Sequence, residues 1–170
     1  MLNFVKREDP VENENTLICF TDGSCVNNGK SCAKSGFAVV WPYHPELNYA
    51  EKMTDNHQTN NRAEFTAVIY AIKQADEVLD VARLKTLIVY TDSMLLINSL
   101  TQWLPGWKKR GWKKADNKDV LNQDLLKTLD QLIQDRKVVF RHVKAHTNKT
   151  DWESVNNDIV DKLAQTIVAM

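Results

Sequence analysis

At 170 residues with 22 basic and 22 acidic side chains, the chain suits one domain of ordinary size. Its zero net charge points neither to a generally basic nucleic-acid binder nor to an acidic tail. An apolar fraction of 43% suffices for a core, and no apolar run approaches the length of a membrane span. Cys19, Cys25 and Cys32 stand in no metal-ligand spacing and follow no signal peptide, which predicts a reduced intracellular protein, cytoplasmic or nuclear, with free thiols.

Residues 1–15 carry acidic groups, one proline and little periodicity, and read as a short flexible leader ahead of a domain over 16–170. Leu17, Ile18, Cys19 and Phe20 then form an apolar, β-rich run that stops at Thr21-Asp22-Gly23. A charge at the end of a buried strand is either a turn former or a ligand for something positive. Asp-Gly is a turn signal, and Asn27-Asn28-Gly29 is a second one. The chain repeats the arrangement: Leu87 to Tyr90 is another apolar run, ending in Thr91-Asp92. Two strands that both end in Thr-Asp bring two carboxylates to one sheet edge, the outline of a metal site.

Ser35–Trp41 reads as the second strand and Leu47–Thr54 as the third, joined through Pro42 to Pro45 in an antiparallel meander. The period then changes to helical over Asn60–Asp76, with Ala63, Ala67, Val68, Ala71, Ile72 and Ala75 on one face. Glu64 lies on that same face, where a carboxylate needs a reason. One reason is a capping box, Asn61-x-x-Glu64, and the other is a site facing the sheet. Strand four spans Lys85–Thr91, and a helix opens over Ser93–Leu100, the grammar of a parallel crossover in which Asp92-Ser93 could be a helix cap.

Between Trp103 and Lys114 the composition is unlike the rest. Lys108, Lys109, Arg110, Lys113 and Lys114 crowd together with Trp103, Trp107 and Trp112. Solvation explains the lysines but not the tryptophans, and the segment reads as a nucleic-acid contact surface. Asp119–Asp135 is an amphipathic helix with Leu121, Leu125, Leu129 and Leu132 on one face, and Val138–Val143 is the last strand. His146 falls in the polar loop behind it. The closing helix, about Asn157–Ala169, turns Ile159, Val160, Leu163, Ala164, Ile167 and Val168 inward. Asp161 lies at the rim of that stripe and Asp158 nearly opposite, so if a fourth carboxylate joins the site, periodicity prefers Asp161; the alternative for both is an ordinary solvated helix face.

In chain order stand TDGSC-x-NNG, QTNNRAE, VYTDSM, WLPGWKKRGWK, HVKAH and NDIVDKLA. Each is weak alone. Together they resemble type 1 ribonuclease H from about Thr16 to Met170. The resemblance implies an α/β, ribonuclease H-like three-layer fold, a five-stranded mixed sheet of order 3-2-1-4-5 with helices on both faces. It places the catalytic and metal-binding acids at Asp22, Glu64, Asp92 and Asp161, and a mobile histidine at His146. Asn28, Asn60 and Asn61 would contact the RNA strand and its 2′-hydroxyls. Thr59 and Asn122 would hold a phosphate of the DNA strand, and Trp103 and Trp107 would line the DNA channel. The wording follows the eukaryotic branch, whose separate N-terminal hybrid-binding domain is not expected ahead of Thr16.

The implied activity is endonucleolytic hydrolysis of the RNA strand of RNA–DNA hybrids, leaving 5′-phosphate and 3′-hydroxyl ends, by a monomer without a membrane. Two Mg²⁺ ions roughly 3.5–4 Å apart, for which Mn²⁺ substitutes, suit a cluster of hard carboxylate oxygens. Asp22 is expected to bridge them, with Glu64 and Asp92 on one ion and Asp161 on the other, while His146 assists proton transfer or product departure. The alternatives are a non-catalytic hybrid-binding module, or a related nuclease acting on DNA. Four departures from the family pattern stand out: His57 in place of an Arg at the phosphate pocket, Leu95 in place of an aromatic, Ala145 in place of a glycine, and a longer stretch from His146 to Asp161.

Overall fold

The computed structural model describes residues 10–170, so most of the expected leader lies outside the described residues. From residue 10 onward the chain is already tied to the domain. The Glu12 carboxylate accepts from the Ile18 N–H at 2.8 Å and meets His44 Nε2 at 2.6 Å, and the Pro10 carbonyl accepts from the Tyr43 hydroxyl.

Five strands form one sheet in the order β3-β2-β1-β4-β5: β1 Thr16–Val26, β2 Lys34–Val40, β3 Tyr49–Lys52, β4 Thr86–Thr91 and β5 Val138–His142. β1, β2 and β3 run as an antiparallel meander, whereas β4 and β5 lie parallel to β1. The two-residue period of a strand sorts the central side chains into two cores. Leu17, Cys19, Val39, Leu87 and Val89 meet α1 (Asn60–Gln74) and α4 (Gln123–Gln134) on one face. Ile18, Phe20, Ala38, Val40, Ile88 and Tyr90 meet α5 (Trp152–Ala169) on the other. The helices therefore cover both faces of a mixed sheet.

Several boundaries differ from the sequence expectation. β1 does not end at Asp22. It continues to Val26, with Asp22 opposite Ala38, because β2 supplies an antiparallel partner beyond the point where β4 stops. The Asp-Gly turn is thereby overturned, and the turn comes at the second signal, where Asn27 (φ 55) and Gly29 (φ 84) adopt the left-handed conformation. Gly23 is instead a strand residue pressed against α1. A Cβ there would lie 2.6 Å from the Glu64 nitrogen and 2.8 Å from Ala63, so only glycine lets the helix approach.

The closing helix begins at Trp152, five residues earlier than the apolar stripe indicates, because Asp151 caps it by accepting from the Ser154 N–H. Much of the extra length after His146 is thus helix, and Trp152 packs edge-on against Phe20 and Tyr90. Ile159 is exposed; Asn156 and Asn157 occupy the buried face with Val160 and Ala164. α4 starts at Gln123, not Asp119, and leaves Leu121 on the surface, with Leu126 and Leu129 carrying the burial. The helix behind β4 is short, α2 (Met94–Asn98). A π-helical turn over Ser99–Trp103 and α3 (Leu104–Lys109) follow it. No helix of the described residues is long and apolar enough to cross a membrane.

Candidate active site

Parallel pairing of β1 with β4 ends at Phe20 opposite Tyr90. Asp22 and Asp92 each stand two residues further along, so the register that aligns the two strands also aligns the two carboxylates. On its other side β1 pairs antiparallel with β2, which makes this edge the place where the sheet changes connectivity and a crevice opens at the strand ends. Ser93 caps α2 by accepting from the Leu96 N–H, which leaves the Asp92 side chain free of that task.

Glu64 reaches the same place from α1. The capping-box alternative fails, since Thr59 is the cap and accepts from the Arg62 N–H at 3.1 Å. Glu64, 4% exposed, points over Gly23 toward the sheet edge, where one carboxylate oxygen of each of Asp22, Glu64 and Asp92 lies within 4.8 Å of the others. Asp161 approaches from α5. It acts electrostatically on all three, and its Oδ2 accepts from Gln165 and lies 4.0 Å from His146 Nδ1. Among the described residues, Asp158 makes none of these contacts.

The four acids repel one another in a poorly solvated site. Burial, then the Glu64 and Asp92 charges, push the Asp22 carboxyl far above the usual carboxylate range. Burial likewise raises Glu64, with the Asp92 charge adding to it and the hydrogen bond with Asp22 opposing. Asp92 is raised by burial and by Asp161, and lowered by His146 and His142. When both are ionised, the two carboxylates are acceptors only and lose the proton that joins them. Asp22 Oδ2 and Glu64 Oε2 are buried, and no other described residue gives either a hydrogen bond. At the opposite end of the sheet, by contrast, buried Arg136 meets Asp76 and Asp80 at 2.8 Å each. Among the described residues, no lysine or arginine figures in the electrostatics of Asp22, Glu64 or Asp92. A cluster of hard oxygen donors with unsatisfied buried atoms and no lysine or arginine beside it fits divalent cations such as Mg²⁺.

The remaining residues named from sequence surround this cluster. His146 is 72% exposed and adopts a left-handed backbone conformation (φ 54), the conformation that a glycine would take without strain. Asn28 Oδ1 accepts from the Asn60 N–H at 3.2 Å and so ties the β1–β2 turn to the start of α1. Asn61, Trp103, Trp107, Lys114 and Asn122 line a single cleft of about 170 Å³ floored by Phe65 and Leu126. The indoles of Trp103 and Trp107 sit 5.8 Å apart, Trp107 and Trp112 pack on the core, and Lys127 lies over the Trp112 ring. The basic segment is less free than its composition suggests. Lys108 pairs with Asp130 at 2.9 Å, Lys113 with Asp119 at 2.5 Å, and the Arg110 Nε donates to the Lys113 carbonyl, while Lys109 pairs with no described residue.

Sequence reasoning missed Asn157, which is 2% exposed with its Oδ1 unpartnered, one helical turn ahead of Asp161. The i, i+4 spacing was the available signal.

Comparison with known proteins agrees with this architecture. The RNase H family model matches residues 14–169. The chain is 38% identical over 151 residues to mouse Ribonuclease H1, an alignment that covers 88% of this chain and 49% of the relative. It is 37% identical over 153 residues to Ribonuclease H of Cupriavidus pinatubonensis, covering 90% and 95%. The chain thus spans about half the length of the mammalian relative and nearly all of the bacterial one. In fold it is similar to a foamy viral protease-reverse transcriptase chain solved with dsDNA, at a TM-score of 0.73 and 23% identity over 91% of this chain and 95% of that one. Strand register, acidic cluster and relatives agree: the chain belongs to the RNase H family.

Proposed function

We propose that the chain is an endonuclease that hydrolyses the RNA strand of RNA–DNA hybrids with divalent metal, leaving 5′-phosphate and 3′-hydroxyl ends. The observation that carries the reading is the buried, self-repelling group of Asp22, Glu64 and Asp92, joined by Asp161, at the ends of parallel strands. Divalent cations bound there, two on this reading, supply Lewis-acid activation of water and stabilise charge on the phosphorane-like transition state.

The protein's own residues do the rest. Asp22 stands at the centre: its Oδ1 accepts from the Gly23 N–H at 2.9 Å, which fixes the carboxylate plane and leaves Oδ2 turned into the cluster. On this reading Glu64 and Asp92 would hold one cation together with Asp22, and Asp161 would hold the other. Burial by α1 and α5 excludes bulk water and strengthens each of these interactions. His146, exposed beside Asp161, is placed to hold a proton near the leaving 3′-oxygen or to release the product.

Specificity comes from neighbours of the cluster. Asn28, Asn60 and Asn61 offer both donors and acceptors, as 2′-hydroxyls require, and little on this surface reads base edges. Across the cleft, Trp103, Trp107, Thr59 and Asn122 face the DNA strand. Lys109, Arg110, Trp112 and Lys114, with Lys108 and Lys113 as partly paired supports, follow phosphates. A hybrid labelled on the RNA strand tests the reading against a related DNA nuclease. The RNA should be cut in Mg²⁺ and left intact in chelator, and a branched DNA should be untouched. Incision of the branched DNA with the hybrid intact would replace this reading.

A further inference from the structure

Arg62 sits in the first turn of α1, and its side chain is only 14% exposed. A guanidinium carries five N–H donors and no acceptor, and here all five are used. Nε and Nη2 donate to Asp55 Oδ2 at 3.0 and 2.9 Å, and Nη2 and Nη1 donate to the two oxygens of Asp124 at 2.8 and 2.9 Å. The last Nη1 hydrogen goes to Asn122 Oδ1 at 3.4 Å. The residue's backbone N–H goes to Thr59 Oγ1. One residue thus joins the segment after β3, the start of α1 and the start of α4.

Two of these contacts decide the polarity of Thr59 and Asn122. Arginine cannot accept, so the Asn122 amide must turn its oxygen toward Arg62, and both Nδ2 hydrogens then face elsewhere. Thr59 likewise offers its oxygen to the Arg62 N–H and keeps its hydroxyl hydrogen. A hydroxyl and an amide presented together as donors suit an anion. Asn122 also needs holding: it lies in the left-handed region at φ 60, and its side chain caps no backbone N–H of α4. The tie is firm at the other end, where the bidentate Arg62 contact holds the Asp124 carboxyl below the usual range.

We propose that Arg62 is a positioning residue for a phosphate subsite: by taking the acceptor atoms of Thr59 and Asn122, it leaves both facing the DNA strand of the hybrid as donors. The inference rests on the hybrid-nuclease reading above. It makes Arg62 a determinant of substrate grip, although Arg62 has no donor left to touch the substrate.

The test is a double-mutant cycle of Arg62→Lys and Asn122→Ala, read as KM and kcat on an RNA–DNA hybrid beside wild type, with melting temperatures for each. A lysine keeps the charge between Asp55 and Asp124 but not the five-donor fork. Arg62→Lys should raise KM about tenfold with kcat within about twofold, the pattern of lost uniform binding. In the Asn122→Ala background the same change should add less than about twofold, because contacting residues do not act additively. Effects that multiply in full would show that Arg62 acts by stabilising the fold, and would overturn the proposal. Asn122→Asp serves if Arg62→Lys does not fold. It keeps an oxygen toward Arg62 but has no donor, so KM should rise at an unchanged melting temperature, and a wild-type KM would overturn the proposal. Failure of the wild-type protein to cut the hybrid would instead remove the nuclease reading, and this inference with it.

Discussion

Replacing Asp22 by asparagine should make the metal-free protein more stable while removing its activity. Asparagine is isosteric, and its Oδ1 can still accept from the Gly23 N–H. What disappears is one charge in a cluster whose ligand oxygens lie within 4.8 Å of one another. Two unit charges at that separation repel by about 3.5 kcal/mol at an effective dielectric of about 20. For a chain of this size that corresponds to a rise in melting temperature of roughly 10 °C in chelator. The pH dependence has a definite sign. The folded-state pKa values lie above the ordinary ones, so the folded protein holds more protons than the unfolded chain. The wild-type penalty is therefore absent below about pH 4 and grows as pH rises toward the folded-state values, about 8 for Glu64 and about 11 for Asp22. Thermal melts of wild type and Asp22→Asn in chelator should nearly coincide at pH 4.5 and diverge by pH 8, the variant melting higher. Adding Mg²⁺ should raise the wild type and leave the variant unmoved. An Asp22→Asn protein less stable than wild type at pH 8 in chelator, or a difference independent of pH, would refute the idea that the cluster repels itself.

Three further predictions follow from the placements above. Asp161→Ala should lower kcat in Mg²⁺ by orders of magnitude, whereas Asp158→Ala should be nearly silent; steady-state kinetics showing the reverse would mean that the wrong face of α5 meets the sheet. Replacing Lys109, Arg110 and Lys114 together by alanine should flatten the slope of log affinity against log salt by roughly two to three units, since each phosphate contact contributes up to about 0.9. Lys108→Ala and Lys113→Ala should change it less, because Asp130 and Asp119 hold those charges at 2.9 and 2.5 Å, whereas Asp116 meets Lys114 only at 3.9 Å. If Asn28, Asn60 and Asn61 read successive 2′-hydroxyls, a DNA duplex with one embedded ribonucleotide should be cut poorly beside a continuous RNA tract, and efficient incision at the single ribonucleotide in a gel assay would contradict that reading.

Much of the sheet and its acids was legible because local signals agreed with the global arrangement. Two apolar runs ending in Thr-Asp located Asp22 and Asp92, and an acid inside an apolar stripe located Glu64. Helical phase favoured Asp161 over Asp158, and α5 does turn Asp161 toward the other acids. The misreadings share a different cause, since each depended on a partner distant in sequence. Gly23 resembled a turn because nothing nearby shows that β2 prolongs β1 or that α1 presses on that position. The early start of α5 is set by an Asp151 cap and by Trp152 packing on two other strands, neither of which appears in an apolar period. The lysines of the tryptophan-rich segment looked free because Asp119 and Asp130 lie outside it. Arg62 gave no sign of its contacts, since Asp55, Asn122 and Asp124 come from both sides of the chain.

The most direct test of the central claim, that the acids at the ends of β1 and β4 serve metal-dependent cleavage of one strand, is a hybrid with distinct labels on its two strands. Wild-type protein in Mg²⁺ should shorten only the RNA, with 5′-phosphate and 3′-hydroxyl product ends, and Asp92→Asn should bind the hybrid and leave both strands whole. Cutting of the DNA strand, or undiminished RNA cleavage by Asp92→Asn, would contradict it.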